Sequence, residues 1–510
     1  MILLIMLAKV FSGAVLGLES VPITIEVDIA SRALPHFQIV GLADKAVEES
    51  KERVRSAIQN SSLDFPIHKI TVNLAPADLP KEGALYDLPI ALGLLLGNES
   101  LKVAISDCLF LGELSLDGGL RSTPGVLPIA LMAKDQGFKH IFIPQVNAKE
   151  AAIISGIAIY AVPSLKDLVD HFLGVKKLVP IPEEKLDFDF DTDYESDFSD
   201  IKGQESAKRA LEIAAAGSHN VLLKGSPGSG KTLLARTFPS ILPKLTEDEA
   251  IEITKIYSVS NLLSLKDPVI KKRPFRSPHH TTSHIGLIGG GTRPKPGEIS
   301  LAHRGVLFLD EIPEFPRHAL EALRQPLEDG FVTVSRASGT SHFPSKFTLI
   351  AACNPCPCGY TLSNSRKCLC SPHQISQYQK RLSGPFLDRI DLHVFCSDIP
   401  ANKLSDYALG ENSKAIRQRV QKARDTQIVR FNGAKITANS EMSNREVKKY
   451  CLLDEKSHQL LTQAVSTLGL SGRGYYRLLK VSRTIADLAE SENIQVNHVA
   501  EALQYRQKDN

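Results

Sequence analysis

Gly225-Ser226-Pro227-Gly228-Ser229-Gly230-Lys231-Thr232 is the stretch on which the reading of this chain turns. It follows His219-Asn-Val-Leu-Leu-Lys224, a short apolar run with the character of a buried strand, and it leads into Leu233-Leu-Ala-Arg-Thr-Phe238, which continues as helix. Strand, glycine-rich turn and helix are the context that a GxxxxGK[ST] match requires. Glycines let backbone N–H groups turn inward around phosphate oxygens, and the helix N-terminus adds partial positive charge. Lys231 can reach the β- and γ-phosphates, and the Thr232 hydroxyl can ligate Mg²⁺. The spacing therefore predicts a site for ATP with Mg²⁺, inside an α/β domain.

Three further segments supply the residues such a site needs. Gly305-Val-Leu-Phe-Leu309-Asp310-Glu311 is an apolar strand ending in two acids, and the carboxyl ends of strands in an α/β sheet face the nucleotide. Asp310 is expected to hold Mg²⁺, and Glu311 to orient and deprotonate the attacking water. Phe347-Thr-Leu-Ile-Ala-Ala-Cys-Asn354 is the next buried strand, placing the Asn354 amide where it can position that water. Gly384-Pro-Phe-Leu-Asp388-Arg389 carries an arginine able to act on a neighbouring subunit's γ-phosphate, and Arg473 opens a long helix through Leu488 from which it can touch the nucleotide of its own chain. Arginines at these places neutralise transition-state charge, although most arginines serve in ordinary ion pairs.

Length and composition bound the rest. The 510 residues leave room for about three domains of ~150 residues, and a hydrophobic share of 43% supports full cores. A net charge of only +3 confines any nucleic-acid surface to local patches. Eight cysteines, five of them between Cys353 and Cys370, argue for a reducing, cytoplasmic setting or a metal site and against a disulfide framework. Met1-Ile-Leu-Leu-Ile-Met6 has no basic residue before it, is interrupted by Lys9 and falls far short of the ~20 apolar residues of a membrane span. It reads as a first strand, with Met6 as an alternative start, and no membrane partner is expected.

Residues 8 to about 175 mix strands and helices over short connections. Val21–Ile29 alternates like a strand, Phe37–Val40, Lys69–Leu74 and His140–Pro144 are further strands, and Phe110–Leu116 is one more, ending at Asp117-Gly-Gly119. Ala43–Gln59, Leu88–Leu96 and Gly125–Gly137 carry helical spacing. Gly112-Glu-Leu-Ser-Leu-Asp-Gly, Gly125-Val-Leu-Pro-Ile-Ala130 and Asn73-Leu-Ala-Pro-Ala-Asp-Leu-Pro-Lys-Glu-Gly83 resemble the proteolytic domain of Lon. The resemblance implies a serine nucleophile and a lysine base, but Leu85 and Leu127 stand at those positions. A leucine can be neither, so the block is expected to be a Lon-like scaffold that cuts no peptide.

Residues 183–200 hold nine acids and one lysine, a composition that buries little and reads as a linker. The expected division is a Lon-protease-like domain over 1–178, an acidic linker over 179–200, an α/β ATPase core over 201–400 and a helical lid over 401–510. Arg276-Ser-Pro-His-His280-Thr-Thr, Gly289-Gly-Gly-Thr-Arg-Pro-Lys-Pro-Gly-Glu298, Asn354-Pro-Cys-Pro-Cys-Gly359 and Asp388-Arg-Ile-Asp-Leu-His393, with the motifs above, resemble the AAA+ ATPases of the magnesium-chelatase-like group, and within it the ComM/YifB family. The resemblance implies a homo-oligomeric, hexameric ring and a helicase that drives branch migration of recombination intermediates during natural transformation. Two other functions remain open: an ATPase subunit of a magnesium chelatase and a protein-remodelling ATPase. Independent support for DNA, branched or single-stranded, is partial. Arg293 and Lys295 lie in a glycine-rich loop, and Arg336 lies near the tip of a hairpin within Phe331–Phe343. Such cations give salt-sensitive phosphate contacts, yet the same loops could grip a polypeptide.

Within a Cys-rich loop over 353–373, Cys356-Pro-Cys358 and Cys368-Leu-Cys370 can place four thiolates around one Zn²⁺ and close a loop too polar to fold on apolar contacts alone. Cys353 and His373 are substitute ligands, and free thiols in a reduced loop are the alternative. His279, His280 and His284 fit loop packing better than a metal.

Overall fold

The computed structural model describes residues 7–30, 34–184, 194–291, 294–336, 339–361, 366–398, 410–434 and 436–506. Contacts divide the chain into two units, Met1–Asp187 with Glu247–Lys271, and Phe188–Thr246 with Lys272–Asn510.

The first unit is built on a seven-stranded mixed sheet. Its strand order is His36–Val40, Lys69–Ala75, Glu19–Ala30, Leu7–Leu16, Cys108–Phe110, His140–Pro144 and Ala158–Val162. Alternation decides which face is buried: Ile23, Ile25 and Val27 on one strand and Ile70, Val72 and Leu74 on its neighbour enter the core. Helix Lys45–Asn60 begins at Asp44, whose side chain accepts from the Val47 N–H at 2.9 Å. Its Val47, Val54, Ala57 and Ile58 are buried, as their spacing requires. Helix Asp87–Gly97 is apolar nearly all round and correspondingly buried. The single strand expected over Phe110–Leu116 is instead two, Cys108–Phe110 and Glu113–Leu114. The break falls at Gly112, whose φ is +156° and where a Cβ would lie 2.9 Å from the Leu120 side chain. Leu85 and Leu127 are both buried in this core.

Helix Glu247–Val259, expected inside the ATPase core, packs with the first unit. Ile251 of the helix packs against the first unit's hydrophobic cluster, and Val269, beyond the helix end, is buried in it. The Ser258 carbonyl accepts from Gly125 N–H at 3.3 Å, and the Ser258 hydroxyl donates to Glu150. Apolar burial plus a carboxylate at a helix start outweighs chain neighbourhood here.

The second unit has a five-stranded, all-parallel sheet in the order Phe275–Arg276, Val306–Leu309, Thr348–Cys353, Val221–Gly225, Leu392–Cys396. Val306–Leu309 and Thr348–Cys353 are buried at every residue, the signature of parallel strands covered on both faces. Phe198, at the end of the acidic segment, is fully buried in this unit's core, and Asp197 accepts from the Ser413 N–H at 3.1 Å. Residues 185–193 of that segment and the expected 400/401 boundary lie outside the described residues. Beyond them helices Ser413–Arg430, Asn444–Tyr450, Glu455–Leu468, Gly472–Leu488 and Val496–Gln504 follow one another. Gln427 Nε2 donates to the Ala216 carbonyl at 3.1 Å and Arg424 Nη2 to that of Ala215 at 3.1 Å. These bonds tie helix Ser413–Arg430 to the C-terminal end of helix Glu205–Gly217.

Candidate nucleotide site

Val221–Gly225 runs between Thr348–Cys353 and Leu392–Cys396, so the loop after it emerges at the C-terminal edge of the sheet, where ligands of such sheets bind. Helix Lys231–Thr237 starts at Gly230, whose φ of +89° is a left-handed conformation that few side chains tolerate. Lys231 Nζ donates to the carbonyls of Gly225 at 2.7 Å and Ser226 at 2.8 Å, and lies 3.3 Å from Asn354 Oδ1. Burial pushes the Lys231 ammonium below the usual lysine value, while Asp310 and Glu311 act in the opposite direction.

Thr232 Oγ1 donates to Asp310 Oδ2 at 2.8 Å, across a sequence separation of 78 residues. Two hard oxygen donors this close fit Mg²⁺: Thr232 and Asp310 would hold the ion, which supplies charge neutralisation on the phosphates. Asp310 Oδ1 accepts from the Glu311 N–H at 2.9 Å. Glu311 has φ +49°, a conformation costing a non-glycine residue about 1–2 kcal/mol. Strain of this kind concentrates at functional positions, and it leaves the Glu311 side chain exposed next to Asp310. The loop residues Gly225–Thr232, the two acids and Asn354 thus come together from three strand ends.

The two arginines are placed differently. Arg389 is buried; its guanidinium donates to the carbonyls of Arg324 at 3.2 Å and Pro385 at 2.6 Å and to the Glu328 carboxylate. Arg473, exposed at the start of helix Gly472–Leu488, donates to the other oxygen of Glu328 at 2.7 Å. Among the described residues the recorded bonds of both arginines lead to Glu328 and its surroundings and none to the phosphate loop. Sequence reasoning missed Glu328, since nothing local marks it. It also missed Gln204, whose Nε2 donates to the Ser229 carbonyl at 2.9 Å and to that of Ser397 at 2.7 Å. Gln204 stands at the left-handed start of its helix (φ +59°), so the Lys202-Gly-Gln204 turn was the available signal.

At the N-terminal ends of strands Val221–Gly225 and Leu392–Cys396, Asp391 receives Arg477 Nη1 at 2.5 Å and lies 3.5 Å from His219 Nδ1. Burial alone would raise the Asp391 carboxyl, but Arg477, His219 and Arg506 hold it well below the usual range. Burial also drives the His219 imidazole below its ordinary value.

Of the cations nominated for DNA, Arg293 lies outside the described residues. Lys295 is exposed on a short hairpin in which Gly290 pairs with Lys295. Arg336 ends strand Phe331–Arg336, opposite Gly339 in the second hairpin. The loop expected over Ile285–Lys295 is partly helical, His284–Ile288, because Leu287 and Ile288 are buried.

The four thiols of Cys356, Cys358, Cys368 and Cys370 have their sulfurs within 4.8 Å of one another. Backbone N–H groups of Tyr360 and Leu369 pull the Cys358 thiol down to about 6. Soft, clustered sulfur donors fit Zn²⁺. No helix among the described residues is long and apolar enough to cross a membrane.

A phosphate loop and two strand-end acids on an all-parallel sheet define an ATPase of the magnesium-chelatase-like class. The family models for magnesium chelatase subunit ChlI match at residues 197–404 and 25–147, and that for the ChlI C-terminal region at 410–506. The chain is 46% identical to competence protein ComM of Haemophilus influenzae over 98% of this chain and 97% of the relative. It is 43% identical to YifB of Escherichia coli K12 over 99% and 97% of the two chains. Identity to the magnesium-chelatase subunit ChlI of Euglena gracilis is 24% over 31% of this chain and 52% of that one. The chain belongs to the magnesium-chelatase-like ComM/YifB family.

Proposed function

We propose that this protein is a Mg²⁺-ATP-driven motor that works on branched or single-stranded DNA as a homo-oligomeric, hexameric ring, moving branch points of recombination intermediates as in natural transformation. The observation that carries the ATP half is the convergence of Lys231, Thr232, Asp310 and Asn354, with Thr232 Oγ1 2.8 Å from Asp310 Oδ2. Lys231 holds the β- and γ-phosphates, Thr232 and Asp310 hold Mg²⁺, Glu311 takes a proton from the attacking water, and Asn354 orients that water. Arg389 reaches the nucleotide of the neighbouring subunit once it leaves Glu328, and Arg473 acts on the nucleotide of its own chain. The DNA half is supported by similarity to competence protein ComM along nearly the whole chain and by the cation-bearing hairpins around Lys295 and Arg336. Hydrolysis moves these hairpins along the phosphate backbone. The N-terminal unit is a scaffold without peptidase activity, since Leu85 and Leu127 offer neither nucleophile nor base, and the thiol cluster carries Zn²⁺.

The test is ATP hydrolysis with and without forked or four-way DNA over a range of salt. Stimulation by DNA that weakens with salt and is reduced in Lys295→Ala supports the motor; hydrolysis indifferent to every DNA structure removes it. The chelatase reading, favoured by the ChlI family models, requires hydrolysis that responds to a chelatase partner subunit and not to DNA.

A further inference from the structure

We propose that the four-cysteine knot is a metal-dependent brace on the nucleotide site, in which Zn²⁺ held by Cys356, Cys358, Cys368 and Cys370 fixes the phosphate loop and Asn354 in the arrangement that binds ATP. The inference rests on the nucleotide and zinc readings above and adds that the second controls the first.

All four sulfurs lie within 4.8 Å of one another, and three of them lie close to the edge lengths of one tetrahedron. Cys356 and Cys358 are 3.4 Å apart, Cys358 and Cys368 3.5 Å, and Cys356 and Cys368 3.8 Å. A tetrahedron with Zn–S bonds of ~2.3 Å has edges of about 3.8 Å, whereas a disulfide would bring two sulfurs to ~2.05 Å. The supporting shell is also present: the Cys370 N–H donates to Cys368 Sγ at 3.4 Å, and Thr361 Oγ1 lies 3.2 Å from the same sulfur. Hydrogen bonds to thiolates orient the ligands and temper their charge.

The knot is joined to the nucleotide site at two points. Strand Thr348–Cys353 delivers Asn354 beside Lys231 at 3.3 Å, and Cys356 follows two residues later, fully buried. The chain then turns through Cys358 to Gly359, whose N–H donates to the Cys356 carbonyl at 3.0 Å. Gly359 has φ +85° and presses on the phosphate loop: a Cβ there would lie 2.4 Å from Pro227 Cδ and 3.8 Å from Asn354 Cγ. Within six consecutive residues the chain therefore touches Lys231, supplies two thiolates and closes against Pro227. The second thiolate pair brings little apolar anchorage, since Leu369 between Cys368 and Cys370 is 88% exposed. A thiolate pair with so little to bury beside it is held in place by its metal. Without the ion, the contacts of Gly359 on Pro227 and of Asn354 on Lys231 lose the member that holds them in register.

The experiment uses the full chain, purified under reducing conditions, with zinc quantified by atomic emission and ATP affinity read from a fluorescent ATP analogue in excess Mg²⁺. About one zinc per chain is expected, and cobalt exchanged for it should give thiolate-to-metal charge-transfer bands of a tetrahedral sulfur site. Protein stripped of zinc and returned to Mg²⁺ alone should bind the analogue about tenfold more weakly or worse, and zinc should restore it. Gly359→Ala, which leaves all four thiols in place, should keep its zinc and still lose affinity; its melting curve shows that it folds. Zinc-free protein that binds the analogue as tightly as the loaded form overturns the brace, as does Gly359→Ala with unchanged affinity. Failure of the zinc-loaded protein to bind the analogue at all overturns the nucleotide reading itself, and the brace with it.

Discussion

In the N-terminal unit, the buried carboxylates of Asp87 and Glu150 are closed on hydrogen-bond donors. Asp87 receives Arg53 Nε at 2.8 Å, the Ser50 hydroxyl and the Leu114 N–H at 3.2 Å. Glu150 receives the Leu127 N–H at 3.0 Å, Asn147 Nδ2 at 3.1 Å and the Ser258 hydroxyl. In the second unit, Lys231, Thr232, Asp310 and Asn354 meet at the open end of a parallel sheet. Their hydrogen bonds are ones that phosphate, Mg²⁺ and water can replace. Polar clustering thus serves two purposes in one chain. In the first unit it completes a core, in which Leu85 and Leu127 are also buried. In the second it is poised for exchange with a ligand.

The contrast can be broken or sharpened by substitution. Glu311→Gln should reduce the rate of ATP hydrolysis by about 10²–10⁴-fold, the usual loss when a general base is removed. Nucleotide binding should persist, which a binding assay beside steady-state kinetics will show. Leu127→Ala should destabilise the first unit by about 2–5 kcal/mol, because a fully buried leucine leaves a cavity. Denaturant melts should detect the loss while ATP affinity stays the same. A change in ATP affinity without a change in stability would make Leu127 part of a site and collapse the contrast.

Glu328→Gln has a smaller effect. It removes the carboxylate shared by Arg389 and Arg473, but Glu328 is half-exposed and water compensates in part. A loss of about 1–2 kcal/mol is expected, with hydrolysis altered more than binding if the two arginines act on nucleotide. Equal hydrolysis in variant and parent would leave them as a structural ion pair.

The mildest effect concerns pH. His219 is buried and its folded-state value is depressed, so the unfolded chain takes up the proton first as pH falls. Stability should be full above the unfolded value of ~6.5 and decline below it. Replacing His219 by Gln should flatten that part of the melting-temperature profile between pH 7.5 and 5.5. A profile as steep as the parent's would assign the slope to other groups.

The parts of this molecule that follow from local spacing were legible in the sequence. Gly225–Thr232 lies between a strand and a helix, the apolar run Val306–Leu309 ends at Asp310, and Asn354 follows Thr348–Cys353. The alternation of Ile23, Ile25 and Val27 likewise names its own buried face. What depends on contacts between distant segments was not legible. No local pattern says that Glu328 will meet Arg389 and Arg473, or that Gly359 will press on Pro227. Helix Glu247–Val259 carries three acids in its first turn and a weakly amphipathic face, so its affiliation with the first unit is decided by Ile251 and Ser258 reaching partners far away in the chain. Phe110–Leu116 misled because its apolar content continues through Gly112, where backbone conformation breaks the strand.

The proposed motor activity requires that ATP hydrolysis be coupled to movement of a DNA branch. The direct measurement follows a labelled four-way junction with homologous arms through its conversion to duplex products on a native gel. The account predicts conversion that requires ATP and Mg²⁺, ceases with a non-hydrolysable analogue, and is absent in Glu311→Gln. Brisk ATP hydrolysis with the junction left intact would contradict it.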